Sequence, residues 1–239
     1  MTGRSVDPLI HAVVQDRAAS LGLGPGLVRY LFAVESQLKS YINDVAIKLE
    51  GGTHPKHRLT GYHKFFIDNI PPGSRVLDIG SSKGELTRDI AESVPDVKVT
   101  GVEVNRTYYD IAVSQNPHPS VNYVLGDVTE KLPTGKFDVV TMSAVLEHIG
   151  PRDRVLQSIA RKRPGKLLIR VPMIERDWRV MYRIEHGVDH MLDDTHCIEY
   201  TEPELVDELD RSGWHVASLS CRWSEFYVVA VLAGMESVK

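Results

Sequence analysis

The pattern of apolar and polar residues changes character near residue 75. Before that point, residues 8–20 and 27–50 carry apolar side chains at helical spacing, and a glycine-rich stretch at 22–26 separates them. The second segment has one apolar stripe, which consists of Leu27, Tyr30, Leu31, Val34, Leu38, Tyr41, Ile42 and Ile47. These features predict a helical cap over residues 1–70. The stripe packs on the rest of the protein or forms a homodimer contact, and the sequence leaves both alternatives open.

From residue 75 onward, short apolar runs alternate with helical patterns. The predicted strands are 75–79, 98–104, 121–125, 137–142 and 166–172, and a helix near 202–212 precedes two further strands at 215–222 and 226–232. Alternating strands and helices indicate a parallel sheet covered on both faces, whereas the short link near Ser224 permits only antiparallel pairing. The sequence therefore predicts an α/β fold over residues 71–239. Its sheet is doubly wound, Rossmann-like, seven-stranded and mostly parallel, with a final antiparallel strand.

Residues 173–201 form a long connection that is rich in Arg, His, Trp and Tyr. Long ordered insertions at the carboxyl edge of a sheet often act as lids over a substrate, so we predict a lid insertion here. Several basic residues are candidates to face the same crevice, namely Lys56, His57, Arg58, His63, Arg176, Arg179 and Arg183. The three arginines of this set are predicted to share one helix face. The basic residues suggest an anionic or polyhydroxylated acceptor, although a charged helix face is also typical of a solvated surface.

Composition excludes several classes of protein. The 239 residues include 28 basic and 32 acidic side chains, and the net charge of −4 argues against general nucleic-acid binding. Two cysteines do not make a disulfide framework, which favours a reducing cytoplasm. No apolar run reaches the roughly 18 residues of a membrane span, and the first residues do not resemble a signal peptide. We expect a cytoplasmic protein.

Residues 75–86 carry the strongest functional signal. A buried strand ends at Ile79, the turn contains Gly80, Ser82 and Gly84, and a helical pattern follows. Such a turn directs backbone N–H groups and the positive end of a helix into a crevice at the sheet edge. The sequence therefore predicts a nucleotide-like cofactor at this turn.

Three known turns can be compared with this one. The pattern Gly80-x-Ser82-x-Gly84 matches a hydrolase nucleophile elbow, with Ser82 as the nucleophile. That elbow needs upstream strands, and the residues before 75 are predicted to be helical. A nicotinamide turn requires a different glycine spacing, and a P-loop requires a following Gly-Lys-Ser/Thr. The hydrolase stays the alternative enzyme.

Five segments resemble class I S-adenosylmethionine-dependent methyltransferases, in order and in spacing. They are 76–84, 101–104, 126–128, 137–140 and 145–149, and the resemblance covers roughly residues 72–235. It implies S-adenosylmethionine as cofactor and S-adenosylhomocysteine as product. The cofactor-binding residues that it implies are Asp78, Gly80, Ser82, Gly84, Glu103, Val104, Asp127, Val128 and Ser143. Ser82 stands where the family usually has its second glycine.

The resemblance also implies a role for each acid. Glu103 accepts hydrogen bonds from the ribose hydroxyls, and Asp127 accepts one from the adenine amino group beside the Val128 N–H. Asp78 orders the turn near the methionine end. The alternatives are a surface acid for Glu103 and an Asx-turn for Asp127.

Two histidines are candidate general bases for methyl transfer. His148 follows the fourth strand, and His196 lies in the segment 194–201. Histidine suits proton transfer near neutral pH, but both residues also have structural alternatives, and Glu147 is interpreted as a supporting residue. We predict transfer to an oxygen or nitrogen of a small molecule of natural-product, sugar or quinone type. A carbon acceptor and a non-catalytic cofactor-binding protein stay open.

Metal-ligand residue types cluster late in the chain. The set comprises Asp189, His190, Asp193, Asp194 and His196. Their spacing fits no standard metal site, so the sequence predicts none.

Overall fold

The computed structural model describes residues 8–234. They form two compact units, which we call the helical unit and the sheet unit. The described part of the helical unit is residues 8–59 with 177–190, and that of the sheet unit is residues 60–176 with 191–234. Part of the predicted lid insertion thus belongs to the helical unit, and closure of this segment over a substrate stays a prediction.

Seven strands form one sheet. They are β1 (Arg75–Ile79), β2 (Lys98–Glu103), β3 (Val121–Leu125), β4 (Val139–Ser143), β5 (Lys166–Pro172), β6 (Trp214–Arg222) and β7 (Glu225–Leu232). Their order is β3-β2-β1-β4-β5-β7-β6, and β7 runs antiparallel to both of its neighbours, β5 and β6, whereas the other pairs are parallel. Trp223 and Ser224, both with positive φ, link β6 to β7. The predicted fold class is confirmed.

Nine α-helices lie within residues 8–234. They are α1 (Pro8–Leu21), α2 (Pro25–Leu49), α3 (Lys56–Thr60), α4 (His63–Asn69), α5 (Glu85–Ser93), α6 (Arg106–Gln115), α7 (Arg152–Arg161), α8 (Trp178–Glu185) and α9 (Glu202–Arg211). None of these helices combines the length and the apolar run needed to cross a bilayer.

Alternation along the central strands divides the core between the two faces of the sheet. Leu77 and Ile79 of β1 join one cluster with Leu156 of α7, whereas Val76 joins a second cluster with Ile90 of α5. Successive strand residues point to opposite faces, so a strand covered on both faces is mostly apolar. This burial explains the apolar residues Val76, Leu77 and Ile79 that predicted β1.

The helical unit is held together by a buried guanidinium. Arg183 of α8 is 8% exposed and donates to the Glu35 carboxylate at 2.8 Å and to the Phe32 carbonyl at 3.2 Å. Arg179, one turn earlier, donates to the same carboxylate at 2.7 Å. The arginines predicted to meet an anionic acceptor are therefore engaged within this unit.

Arg176 and the apolar stripe of α2 were also subjects of sequence predictions. Arg176 lies outside α8, in a short 3-10 turn, and pairs with Glu199, so it does not share a helix face with the other two arginines as predicted. Of the apolar stripe on α2, Leu27 is buried whereas Tyr41 and Ile42 are exposed. A homodimer contact through the exposed part stays a prediction.

The Glu35 carboxylate makes the stability of this unit depend on pH. Burial opposes ionisation, but the hydrogen bond from Arg183 and the nearby cations lower the pKa of Glu35 below its ordinary 4.5. Its stabilisation is therefore complete above pH 4.5 and is lost as the pH falls through the lower folded-state value.

We expect Glu35→Gln to destabilise the protein at pH 7 by about 1–2 kcal/mol, since one charged partner is lost. The difference from wild type should shrink as the pH falls through the lowered folded-state pKa of Glu35, because the wild-type side chain then becomes neutral as well. Urea unfolding followed by circular dichroism measures both values, and a difference that stays constant with pH would contradict the assignment.

Candidate active site

The order of the strands across the sheet reverses between β1 and β4. This reversal places a crevice at the carboxyl ends of these two strands. Ligands of open α/β sheets bind at such a switch point. β1, β2, β3 and β4 are parallel, so the residues that follow them lie along one edge. The sequence-predicted cofactor residues follow these four strands.

Asp78 is a buried carboxylate that stabilises the turn after β1. It is 1% exposed, and its two carboxylate oxygens accept from the hydroxyls of Thr87 at 2.6 Å and Thr141 at 2.7 Å. Burial raises the pKa of Asp78, against the two hydroxyl bonds that lower it. These bonds tie β1 to α5 and to β4, which agrees with a role in ordering the turn.

The turn itself needs positive φ angles. Gly80, Ser82 and Gly84 have φ of 70°, 50° and 90°. A Cβ on Gly80 would lie 2.3 Å from Val145 Cγ2, and one on Gly84 would lie 2.4 Å from Tyr123 Oη. The two glycines are thus required by the backbone conformation and by neighbouring side chains. Ser82, which replaces a family glycine, adopts the left-handed conformation that glycine favours.

We expect Gly80→Ala to lower the free energy of unfolding by about 2 kcal/mol through the left-handed backbone and the clash with Val145. Adding Val145→Ala removes both Cγ atoms, so the double variant should lose less than the sum of the single changes. Urea denaturation of the four proteins tests this coupling. Strict additivity would mean that Val145 is not the obstacle.

Glu103 lies at the end of β2 and is 7% exposed. One oxygen accepts from the Ser82 N–H at 2.8 Å, and the other accepts from the Asn105 N–H at 2.7 Å. A carboxylate has about four acceptor positions, so capacity remains for two hydroxyl donors. This arrangement fits a ribose, and it also anchors the turn through Ser82.

Asp127 follows β3 and forms a local turn. Its Oδ1 accepts from the Thr129 N–H at 2.8 Å and from the Thr129 hydroxyl at 2.7 Å. Val128 is partly buried, whereas Val104 is 65% exposed. The Asx-turn that was the structural alternative for Asp127 is therefore present. The other carboxylate oxygen of Asp127, Oδ2, is the atom that an adenine amino group would use.

Two buried hydroxyls lie at this edge. The Oγ atoms of Ser81, after β1, and of Ser143, at the end of β4, have no hydrogen-bond partner among the described residues. Buried polar atoms are normally satisfied, so such atoms point to a missing partner. A polar cofactor with hydroxyl, amino and carboxylate groups fits this edge.

The two candidate histidines meet beyond β4. His148 ends a 3-10 turn at Leu146–His148, and the centroids of its ring and that of His196 are 4.6 Å apart. The Cys197 N–H donates to the Glu147 carbonyl at 2.7 Å, which ties the two segments together. Burial, followed by the charge of His196, lowers the pKa of His148.

Sequence reasoning missed Glu199, which supports this pair. Glu199 is buried and accepts from His196 Nδ1 at 2.9 Å and from the Leu192 N–H at 2.5 Å, and it also pairs with Arg176. The His-x-x-Glu spacing was a local signal for this contact. By contrast, the candidate metal residues Asp189 and His190 belong to the helical unit.

A profile described as a methyltransferase domain matches residues 53–219. The chain belongs to this family. Family membership and the fold assign it to the class I methyltransferases, which use S-adenosylmethionine as methyl donor. No strand precedes β1 in residues 8–234, so the upstream strands of the Ser82 hydrolase alternative are missing from that range.

Similar proteins include two named methyltransferases. The chain is 33% identical over 137 residues to the ubiquinone/menaquinone biosynthesis C-methyltransferase UbiE of Ectopseudomonas mendocina, covering 54% of this chain and 51% of that protein. It is 30% identical over 100 residues to the malonyl-[acyl-carrier protein] O-methyltransferase of Halalkalibacterium halodurans, covering 39% and 37%. The chain thus spans about half or less of the length of these relatives.

A solved structure shares the fold. The S-adenosylmethionine-dependent methyltransferase from Aquifex aeolicus superposes with a TM-score of 0.59 at 18% identity, covering 78% of this chain and 97% of that one. This likeness supports the sheet topology.

Proposed function

We propose that this protein transfers the methyl group of S-adenosylmethionine to an oxygen or nitrogen atom of a small-molecule acceptor. The observation that carries the proposal is Glu103, a buried carboxylate at the end of β2 that retains acceptor capacity for two ribose hydroxyls. The family match supports the same reaction. The acceptor is of natural-product, sugar or quinone type.

Each candidate residue has a task in this reaction. When bound, S-adenosylmethionine supplies a methyl group that is already activated on a sulfonium. Glu103 holds the ribose, Asp127 and the Val128 N–H hold the adenine, and Asp78 keeps the turn in place. Aligned reactants lower the barrier by several kcal/mol, so positioning is the main contribution of the chain.

The histidine pair is placed to manage the proton of the acceptor. His148 follows β4 on the same sheet edge as Glu103, and it is exposed, so an acceptor can reach it. An oxygen or nitrogen nucleophile that carries a proton must release it during the transfer. We assign His148 to this step and His196 to the position of its partner.

A carbon acceptor is a second candidate. It is favoured by the relative named for ubiquinone/menaquinone biosynthesis, a C-methyltransferase. The other relative and a structural neighbour, the mitomycin 7-O-methyltransferase MmcR with a TM-score of 0.57, carry O-methyltransferase names.

Methyl-labelled donor distinguishes these candidates. Protein incubated with trideuteromethyl S-adenosylmethionine and a panel of phenols, sugars, amines and hydroquinones should yield a labelled product, and fragmentation locates the label on oxygen, nitrogen or carbon. Donor binding without turnover on any acceptor would favour the non-catalytic alternative. No heat on titration with S-adenosylhomocysteine would overturn the proposal.

A further inference from the structure

Three potential metal ligands converge beyond β4. The ligand atoms of Glu147, His148 and His196 all lie within 4.8 Å of one another. Glu147 is 1% exposed, whereas His148 is exposed, so the cluster has a buried side and an open side. The hydrogen bond from Cys197 to the Glu147 carbonyl fixes the relative position of the two segments.

Hydrogen bonds orient both imidazoles in the same way. His196 Nδ1 contacts the buried Glu199 carboxylate at 2.9 Å, and a carboxylate only accepts, so Nδ1 carries the hydrogen. The Thr195 hydroxyl donates to Asp193 at 2.6 Å and is therefore the acceptor for His148 Nδ1 at 2.8 Å. In both rings Nε2 then has a lone pair, which is the form that binds a metal.

These bonds match the surroundings of metal-binding histidines. A ligand histidine almost always donates its second N–H to a carboxylate or another acceptor, which fixes the ring and makes it more basic. His196 has this partner in Glu199, and His148 has it in Thr195, which is itself held by Asp193. The pair therefore has both the ligands and the supporting residues of a metal site.

We propose that Glu147, His148 and His196 bind one divalent transition-metal ion. Two imidazoles and one carboxylate suit zinc, manganese, cobalt or ferrous iron better than calcium. Ligand distances near 2.0–2.2 Å require the donors to draw together when the ion binds. Three protein ligands leave coordination positions for an acceptor.

The site suggests a class of acceptor, a step that rests on the proposed function. A bound ion polarises a coordinated hydroxyl and lowers its pKa. The acceptor O–H bond then breaks, the proton leaves to solvent, and the oxygen keeps the electron pair for the methyl group. Acceptors with two neighbouring oxygen atoms, such as catechols and vicinal diols, would occupy two coordination positions. The histidines then act as ligands instead of bases.

Cobalt(II) tests the site without donor or acceptor. Addition of Co²⁺ to protein stripped with a chelator should produce visible d–d absorption that saturates at one ion per chain. His148→Gln and His196→Gln should weaken binding at least tenfold, and Thr195→Val by about 10–100-fold, the usual effect of losing a supporting residue. His215→Gln, an exposed histidine on β6, is the matched control and should bind as wild type.

The outcomes of these experiments test metal binding separately from methyl transfer. Absence of saturable absorption, or equal affinity in wild type and both histidine variants, overturns the metal site even if methyl transfer is observed. Saturable binding that weakens in the ligand and Thr195 variants but not in His215→Gln supports it even if no acceptor in the panel reacts. Full turnover by chelator-treated protein overturns the catalytic part. Circular dichroism of each variant verifies folding. Glu147→Gln removes the charge of the third ligand while keeping a side chain of similar volume.

Discussion

His148→Gln should lower kcat by about 10²–10⁴-fold on an acceptor that wild type methylates, the usual contribution of a group that handles a proton in the transition state. Donor affinity should stay unchanged, because His148 is not among the proposed cofactor residues, which end with Ser143 on this part of the chain. Glutamine retains a polar side chain at this exposed position, so folding should be preserved. Steady-state kinetics and calorimetry with S-adenosylhomocysteine measure the two quantities.

The control for this experiment is His215→Gln, which changes an exposed histidine on β6. It should retain wild-type kcat, so a loss in both variants would indicate a nonspecific effect. Unchanged kcat in His148→Gln would remove this residue from the reaction. The same result would leave acceptor positioning as the main source of catalysis.

Glu103→Ala should weaken binding of S-adenosylhomocysteine by about 3 kcal/mol, on the order of 100-fold in Kd. On the proposed ribose assignment the variant loses two charge-assisted hydrogen bonds, each worth at least about 1.5 kcal/mol. It also releases the backbone N–H groups of Ser82 and Asn105. Calorimetry gives the affinity, and thermal unfolding shows how much of the loss arises from a loosened turn.

Two further variants separate these effects. Glu103→Gln keeps one acceptor oxygen, so it should bind donor better than Glu103→Ala and unfold closer to wild type. Asp110→Asn changes an acid on α6 that pairs with Arg106 at the surface, and it should leave affinity unchanged. Wild-type affinity in both Glu103 variants would refute the ribose assignment.

The local part of the site was predictable from sequence. The strand, turn and helix at 75–86 depend on an apolar run, two glycines and a helical pattern, all within a dozen positions. The turn between β6 and β7 was predictable because a short link allows only antiparallel pairing. The predicted and observed strands therefore agree closely, although β4 begins at Val139 instead of residue 137.

The arginines of 173–201 show where pattern alone fails. Periodicity placed Arg176, Arg179 and Arg183 on one face, and only the last two share a contact, to Glu35. It did not show that Arg183 is buried against α2, because its carboxylate partner Glu35 lies 148 positions away. The two arginines expected to face a crevice thus pair with Glu35, Arg183 in a buried position and Arg179 in an exposed one.

The sequence by itself determined the fold class, the cofactor turn and the acids at the strand ends, since each depends on short-range periodicity and on rules of strand connection. Only the tertiary structure decided that His148 meets His196 beside Glu147. His148 and Thr195 are 47 positions apart, and the path of the intervening chain sets their distance. No local pattern encodes that path, because it follows from packing of the whole sheet and its loops.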